Sequence, residues 1–302
     1  MSGWRDDHPV TVPLAGIVDT MIGFPTDPDQ MYAAMRHQLL RDRESKESMV
    51  MPAAYMFHDV PELHDQGDPV AVTLAEMDRY GIEVGLVSLS GTPEATERAL
   101  TEHPDRFVAS WTIDPNRGMN GVRDLVRAYE QWGVRAVSIF PHGVSPQVPI
   151  DAAQMYPIYA KCVELGVPVF MTVGVAGPRV PSMCQKVELL DQVMYDFPEL
   201  VVVMRHGAEP WVDLAVKLMI KWPNLHYSTS AFSPRFYPKA VIDYANSRGA
   251  ERILYGGYFP MGLTLERIVT ELPDVPFKGD VWPKFLTGNA RRVLRLDKEN
   301  AS

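Results

Sequence analysis

The chain has 302 residues, 46% hydrophobic and 22% charged, with 29 Lys and Arg against 38 Asp and Glu for a formal net charge of −9. That apolar content excludes a disordered polymer, and the acidic balance, with no Lys/Arg cluster, excludes recognition of nucleic acid by phosphate neutralisation. No apolar run reaches the roughly 18 residues of a membrane span and the opening MSGWRDDHPV lacks the core of a signal peptide, so a cytoplasmic protein without membrane partners is expected.

Short β-branched runs recur along the chain: Ile17 to Asp19, Val84 to Leu89, Phe107 to Thr112, Ala136 to Phe140, Val169 to Val173, Leu200 to Met204, Leu225 to Ser228 and Ile253 to Gly256. Each reads as a buried strand. Between them lie amphipathic stretches such as Thr73 to Tyr80, Glu94 to Glu102, Gly121 to Trp132, Gln154 to Leu165, Val187 to Phe197, Trp211 to Lys221 and Lys239 to Ser247, punctuated by Gly or Pro. Eight βα repeats predict an α/β fold, a (β/α)8 TIM barrel spanning 1–302 as one domain. An open doubly wound sheet shares this alternation, because strand order is not written in a single sequence. Cys162 and Cys184 have no metal-ligand or redox spacing and read as core thiols.

The stretch from about 44 to 68 interrupts the rhythm as an insertion after the first strand, with Met49, Met51, Tyr55, Met56 and Phe57 beside His58, Asp59, His64 and Asp65. It is too long for an ordinary βα connection and is expected to cover the barrel mouth or pack on another subunit. The segment from about 280 to 292 (DVWPKFLTGNARR) reads as a final helix, and the last residues, DKENAS, as a fraying tail.

In such a barrel the chemistry sits at the C-terminal ends of the strands. The residues placed there are Asp19, Ser88, Ser90, Asp114, His142, Thr172, Arg179, His206, Glu209, Ser230, Arg235 and Tyr258. Alternation puts Val202, Met204 and His206 on one face of the sixth strand, which sets His206 at the rim if the two apolar residues face inward.

The elements VRAVSIFPHG, GVPVFMTVG, VVVMRHGAEPW and ERILYGGYFP resemble, in order and spacing, the amidohydrolase-related family, also called amidohydrolase family 2. The similarity runs from Ile17 to Leu294. It implies a (β/α)8 barrel, homodimer assembly, and metal-dependent decarboxylase, hydratase or hydrolase chemistry. The family's Asp-x-His-x-His reads Asp19, Thr20, Met21, Ile22, Gly23 here; its fifth-strand histidine falls on Thr172 and the aspartate of its GSDFP on Tyr258, which leaves His206. One imidazole among a methionine, a glycine, a threonine and a tyrosine does not make an N/O metal site. The expectation is therefore a barrel without a metal or other cofactor.

What remains suits proton transfer: His206 and His142 as acid or base, Asp19 as a base or orienting group, and Tyr258 as a donor to a developing oxyanion. Arg179, in VAGPRVPS, is placed to hold a carboxylate in a bidentate pair, with Thr172, Ser230 and Trp111 as further substrate contacts. Three readings stay open. The first is a metal-independent lyase that decarboxylates, hydrates or cleaves a carbon–carbon bond in a small carboxylate or carbonyl compound. The second is a metal hydrolase whose ligands have moved to His58, Asp59, His64 and Asp65, and the third is a silent barrel that binds a small acid or a protein.

Overall fold

The eight β-branched runs become eight parallel strands: β1 (Ile17–Asp19), β2 (Ile82–Ser88), β3 (Phe107–Thr112), β4 (Ala136–Ile139), β5 (Val169–Thr172), β6 (Val202–Arg205), β7 (Leu225–Ser228) and β8 (Ile253–Leu254). The computed structural model describes residues 12, 14–47, 51–58, 60–63 and 66–297. Strand order follows the chain from β1 to β8 without a switch point, which removes the open doubly wound alternative. The extensions of β1 and β8 close the ring. Thr20 N–H donates to Tyr255 O at 3.2 Å, Tyr258 N–H donates to Met21 O at 2.8 Å, and Ile22 bridges Phe259. This is the expected (β/α)8 barrel.

Around it run α1 (Pro28–Gln38), α2 (Arg43–Glu47), α3 (Pro69–Arg79), α4 (Pro93–Glu102), α5 (Met119–Trp132), α6 (Tyr156–Leu165), α7 (Leu190–Asp196), α8 (Val212–Lys221), α9 (Lys239–Tyr244), α10 (Leu265–Glu271) and α11 (Asn289–Leu294). Their ends follow local chemistry. Asp68 caps α3 by accepting the Val70 N–H at 3.0 Å, ahead of Pro69 in the first turn. Thr264 caps α10 at the Arg267 N–H, and α5 and α6 stop at left-handed Gly133 and Gly166.

Two apolar layers result. Inward residues Val18, Leu86, Ala136, Phe170, Val203 and Leu254 fill the barrel together with Ala290, Val293 and Leu294 of α11, which plugs one end. Outward residues such as Val137, Val169, Met171 and Met204 join the helices in the larger cluster. The opposite end lies beneath the β1–β2 connection, which contains α1, α2 and a short turn at Ala54–Met56. Within the Met-rich segment, Met51 is buried while Met56 and Phe57 face the barrel mouth; Met49 falls outside the described residues, as do Asp59, His64, Asp65 and most of the tail. No described helix is long and apolar enough to cross a membrane.

Candidate active site

A cavity of about 1570 Å³ opens at the C-terminal ends of the strands, under the β1–β2 connection. Its upper wall is apolar, with Met31, Met35, Met56, Phe57, Phe140 and Phe232. Its floor carries Ser110, Ser138, Thr172 and Arg205, and His142, His206 and Tyr258 also face it.

Strand β6 departs from the alternation expected of it. Its inward residues are Val203 and Arg205, whereas Met204 packs toward the helices. His206 reaches the mouth by another route: at φ 65° the chain leaves the strand in a left-handed turn. Ala208 (φ 59°), Ala231 (φ 70°) and Tyr258 (φ 69°) take the same conformation after β6, β7 and β8. Non-glycine residues rarely adopt it, and its cost concentrates at functional sites.

Arg205 is 3% exposed. Its Nη1 donates to Ser138 Oγ at 3.1 Å, its Nη2 reaches Thr20 O at 3.4 Å, and its guanidinium lies 4.6 Å over the Phe170 ring. Its Nε has no partner. Burial draws its pKa down to about 9, which leaves it cationic at neutral pH, and no described carboxylate offsets that burial.

Two imidazoles flank Phe140. The His206 ring stacks on Phe140 at 6.3 Å and meets Tyr258 edge-on at 5.4 Å, with Ser230 Oγ 3.3 Å from its Nδ1. Burial, with help from the charge of Arg205, pushes its pKa down to about 3. His142 Nδ1 lies 2.5 Å from Gln185 Oε1, and the Gln185 Nε2 donates to Gly174 O at 2.9 Å. Because that donation fixes the amide orientation, Oε1 is the acceptor and His142 carries its proton on Nδ1, leaving the lone pair on Nε2. Burial lowers the His142 pKa against the Gln185 contact. Both rings are neutral at pH 7.

Tyr258 stacks on Phe57 at 5.7 Å, and burial lifts its phenol above the usual range. Asp19 does not line the cavity. It is fully buried behind it, where Oδ1 accepts the N–H groups of Met21 (2.9 Å) and Gly257 (2.8 Å) and Oδ2 has no partner. Burial raises its pKa to about 6 against those two hydrogen bonds. A Cβ on Gly257 would overlap Asp19 Oδ2, so glycine is required for the approach. Asp19 thereby anchors the loop that presents Tyr258.

The expected substrate contacts divide. Thr172 is on the floor, buried, with its Oγ1 unpartnered. Ser230 sits behind His206 rather than on the cavity surface. Trp111 faces the helix layer, because the floor residue Ser110 and the cavity residue Thr112 take the inward positions on either side of it. Arg179 is already engaged: Nη1 and Nη2 hold Glu44 at 2.8 and 3.1 Å, Nη1 holds Asp42 at 3.0 Å, and the guanidinium lies 4.8 Å over Tyr55. It fastens the cover to the β5 loop instead of receiving a ligand. Sequence reasoning missed Arg205, Ser138, Gln185 and Arg267. A signal for Arg205 existed, in the single charge inside the apolar run VVVMRHG.

The amidohydrolase family model matches residues 34–296. The chain belongs to the amidohydrolase family. No curated protein matches it. Among solved structures, an uncharacterised TIM-barrel protein from Bordetella bronchiseptica is 25% identical, covering 93% of this chain and 98% of that one at a TM-score of 0.71. A dihydroxybenzoic acid decarboxylase from Polaromonas sp., crystallised with manganese and 2-nitroresorcinol, is 16% identical, covering 94% and 98% at 0.62. A 4-oxalomesaconate hydratase from Rhodopseudomonas palustris is 18% identical, covering 93% and 96% at 0.59. The last two likenesses speak for the fold.

The manganese of the Polaromonas enzyme corrects the expectation of a cofactor-free barrel: amidohydrolases carry a metal site, and a missing ligand cluster does not show it to be lost. Among the described residues, no three His, Cys, Asp or Glu side chains form a group able to hold an ion. Met21, Gly23, Thr172 and Tyr258, at the positions matching the family's ligands, beside the buried cation of Arg205, do not fit a divalent metal in the usual arrangement.

Proposed function

We propose that this amidohydrolase is a lyase that decarboxylates, hydrates or cleaves a carbon–carbon bond in a small carboxylate, with His206 as the principal proton-transfer residue. The observation that carries the reading is one cavity lined by two neutral imidazoles, His206 and His142, and a buried guanidinium without a carboxylate partner, Arg205. The family, and the decarboxylase and hydratase among its structural relatives, support it.

Neutral at pH 7, the His206 imidazole has a lone pair free to take a proton from a substrate hydroxyl or water. In decarboxylation the C–C electron pair stays on the ring or α carbon when CO₂ departs, and that carbon takes a proton back from the imidazolium just formed. Tyr258, protonated throughout the neutral range, donates to the oxyanion that develops. His142 supplies a second neutral nitrogen, and Asp19 positions rather than reacts. Homodimer assembly belongs to the same proposal and draws support from Tyr55 and Met56, which remain 55% and 58% exposed on the cover. The cytoplasm is the expected setting.

The test is incubation of the purified protein with hydroxybenzoates and β-keto acids, following CO₂ release and ultraviolet absorbance. Turnover of one class supports a lyase. Binding without turnover of any of them contradicts it.

A further inference from the structure

Three arginines lie near the mouth, and their pairing differs. Arg179 is held by Asp42 and Glu44 outside the cavity. Arg267, on the cavity wall, is held by Glu271 at 3.0 Å. Arg205, on the floor, is the most buried and has no described acid beside it. A buried charge without a counter-ion is strongly disfavoured, so it is tolerated where an anion completes it. The groups around Arg205 are suited to that completion. Ser138 Oγ accepts from Nη1, so its own hydroxyl proton is available. Thr172 Oγ1 and Arg205 Nε are buried and unpartnered, and both residues line the cavity. Such orphans need a partner in the functional state.

We propose that Arg205, Ser138 and Thr172 form an anion subsite on the barrel floor that receives the carboxylate of the substrate, a role the sequence reading gave to Arg179. Two charge-assisted bonds from the guanidinium, one of them from the orphaned Nε, and two hydroxyl donors together match the lone pairs of one carboxylate. The body of the acid then lies among Phe140, the His206 ring, Tyr258 and Phe57, of which Phe140 stacks on His206 at 6.3 Å and Phe57 on Tyr258 at 5.7 Å, while His206 meets Tyr258 edge-on at 5.4 Å. A flat, unsaturated or aromatic acid fits these walls better than a branched aliphatic one. This places the carboxylate below the imidazole and the reacting carbon beside it. The inference rests on the lyase reading for its substrate, but anion binding can be measured without catalysis.

The experiment is calorimetric titration of the protein with benzoate and with benzamide, which has nearly the same shape and no charge. Wild type is expected to bind benzoate at least tenfold more tightly than benzamide. Arg205→Met is expected to lose that preference, Thr172→Val to weaken benzoate several-fold, and Arg267→Met to retain the preference. A folded Arg205→Met that keeps the preference overturns the subsite and leaves the carboxylate-cavity reading standing. Wild type that binds neither compound, or both equally, overturns both. Should Arg205→Met not fold, Ser138→Ala and Thr172→Val decide: benzoate affinity unchanged in both overturns the proposal.

Discussion

Gly257 donates its backbone N–H to Asp19 Oδ1 at 2.8 Å across 238 positions of sequence. That bond ties the loop after β8, which carries Tyr258, to the end of β1, and it leaves Asp19 Oδ2 buried without a partner. Folding therefore favours the protonated acid, which holds its proton up to about pH 6 instead of 3.8.

The sign of the pH effect follows. Between about pH 4 and 6 the folded chain binds more protons at Asp19 than the unfolded chain, so stability from this residue is full below pH 4 and is lost as pH rises through 6. The loss is about 3 kcal/mol at most, from the size of the shift. Asp19→Asn keeps an acceptor for Met21 and Gly257 without the charge. Denaturant unfolding should show Asn gaining on wild type across pH 4–7, and a constant difference between the two would contradict the account.

Gln185→Leu removes the acceptor of His142 Nδ1–H and strands a buried donor, at a cost of about 1–3 kcal/mol. The nitrogen-15 spectrum of wild type should show His142 protonated on Nδ1 at pH 7, and the variant should lose the fixed tautomer. An Nε2-protonated wild type would contradict the assignment.

Arg179→Ala should loosen the cover without emptying the cavity of affinity. Its pairs with Asp42 and Glu44 are partly exposed, so the stability loss should stay near 1 kcal/mol or less. Proteolysis within residues 42–57 should quicken, and benzoate affinity should change less than threefold. A tenfold loss of affinity would mean that Arg179 touches the ligand after all.

For an acid that the protein turns over, kcat/KM should not fall as pH drops from 8 through 6.5, the ordinary histidine pKa, because His206 stays deprotonated down to about pH 3. An inflection near 6.5 with the variant His142→Gln unchanged would show His206 exposed to water in the working enzyme.

How much of this was legible in the sequence depended on whether the deciding contact was local. Strands such as Phe107–Thr112 and the order of βα units followed from β-branched runs and Gly/Pro punctuation, which are local. The orientation of β6 was not legible. Val202, Val203 and Met204 are apolar on both faces because one face fills the barrel and the other meets the helices, so alternation carries no sign there. The true indicator was Arg205, whose charge must reach the mouth. Trp111 was misplaced for the converse reason: inside the barrel small Ser110 and Thr112 leave room, and the large ring is pushed outward. Arg179 was misread because the carboxylates that hold it lie 135 and 137 positions away, and nothing local announces such a pair.

The most direct test of the central claim is the turnover of an identified carboxylate substrate by His206→Asn beside wild type. Asn tolerates the left-handed backbone at this position better than other non-glycine residues, so the loop should keep its course and the melting temperature should stay within a few degrees. Removing the proton-transfer group should cut kcat by about 10² to 10⁴, with benzoate still held at the Arg205 floor. Full activity in a folded His206→Asn protein would contradict the account.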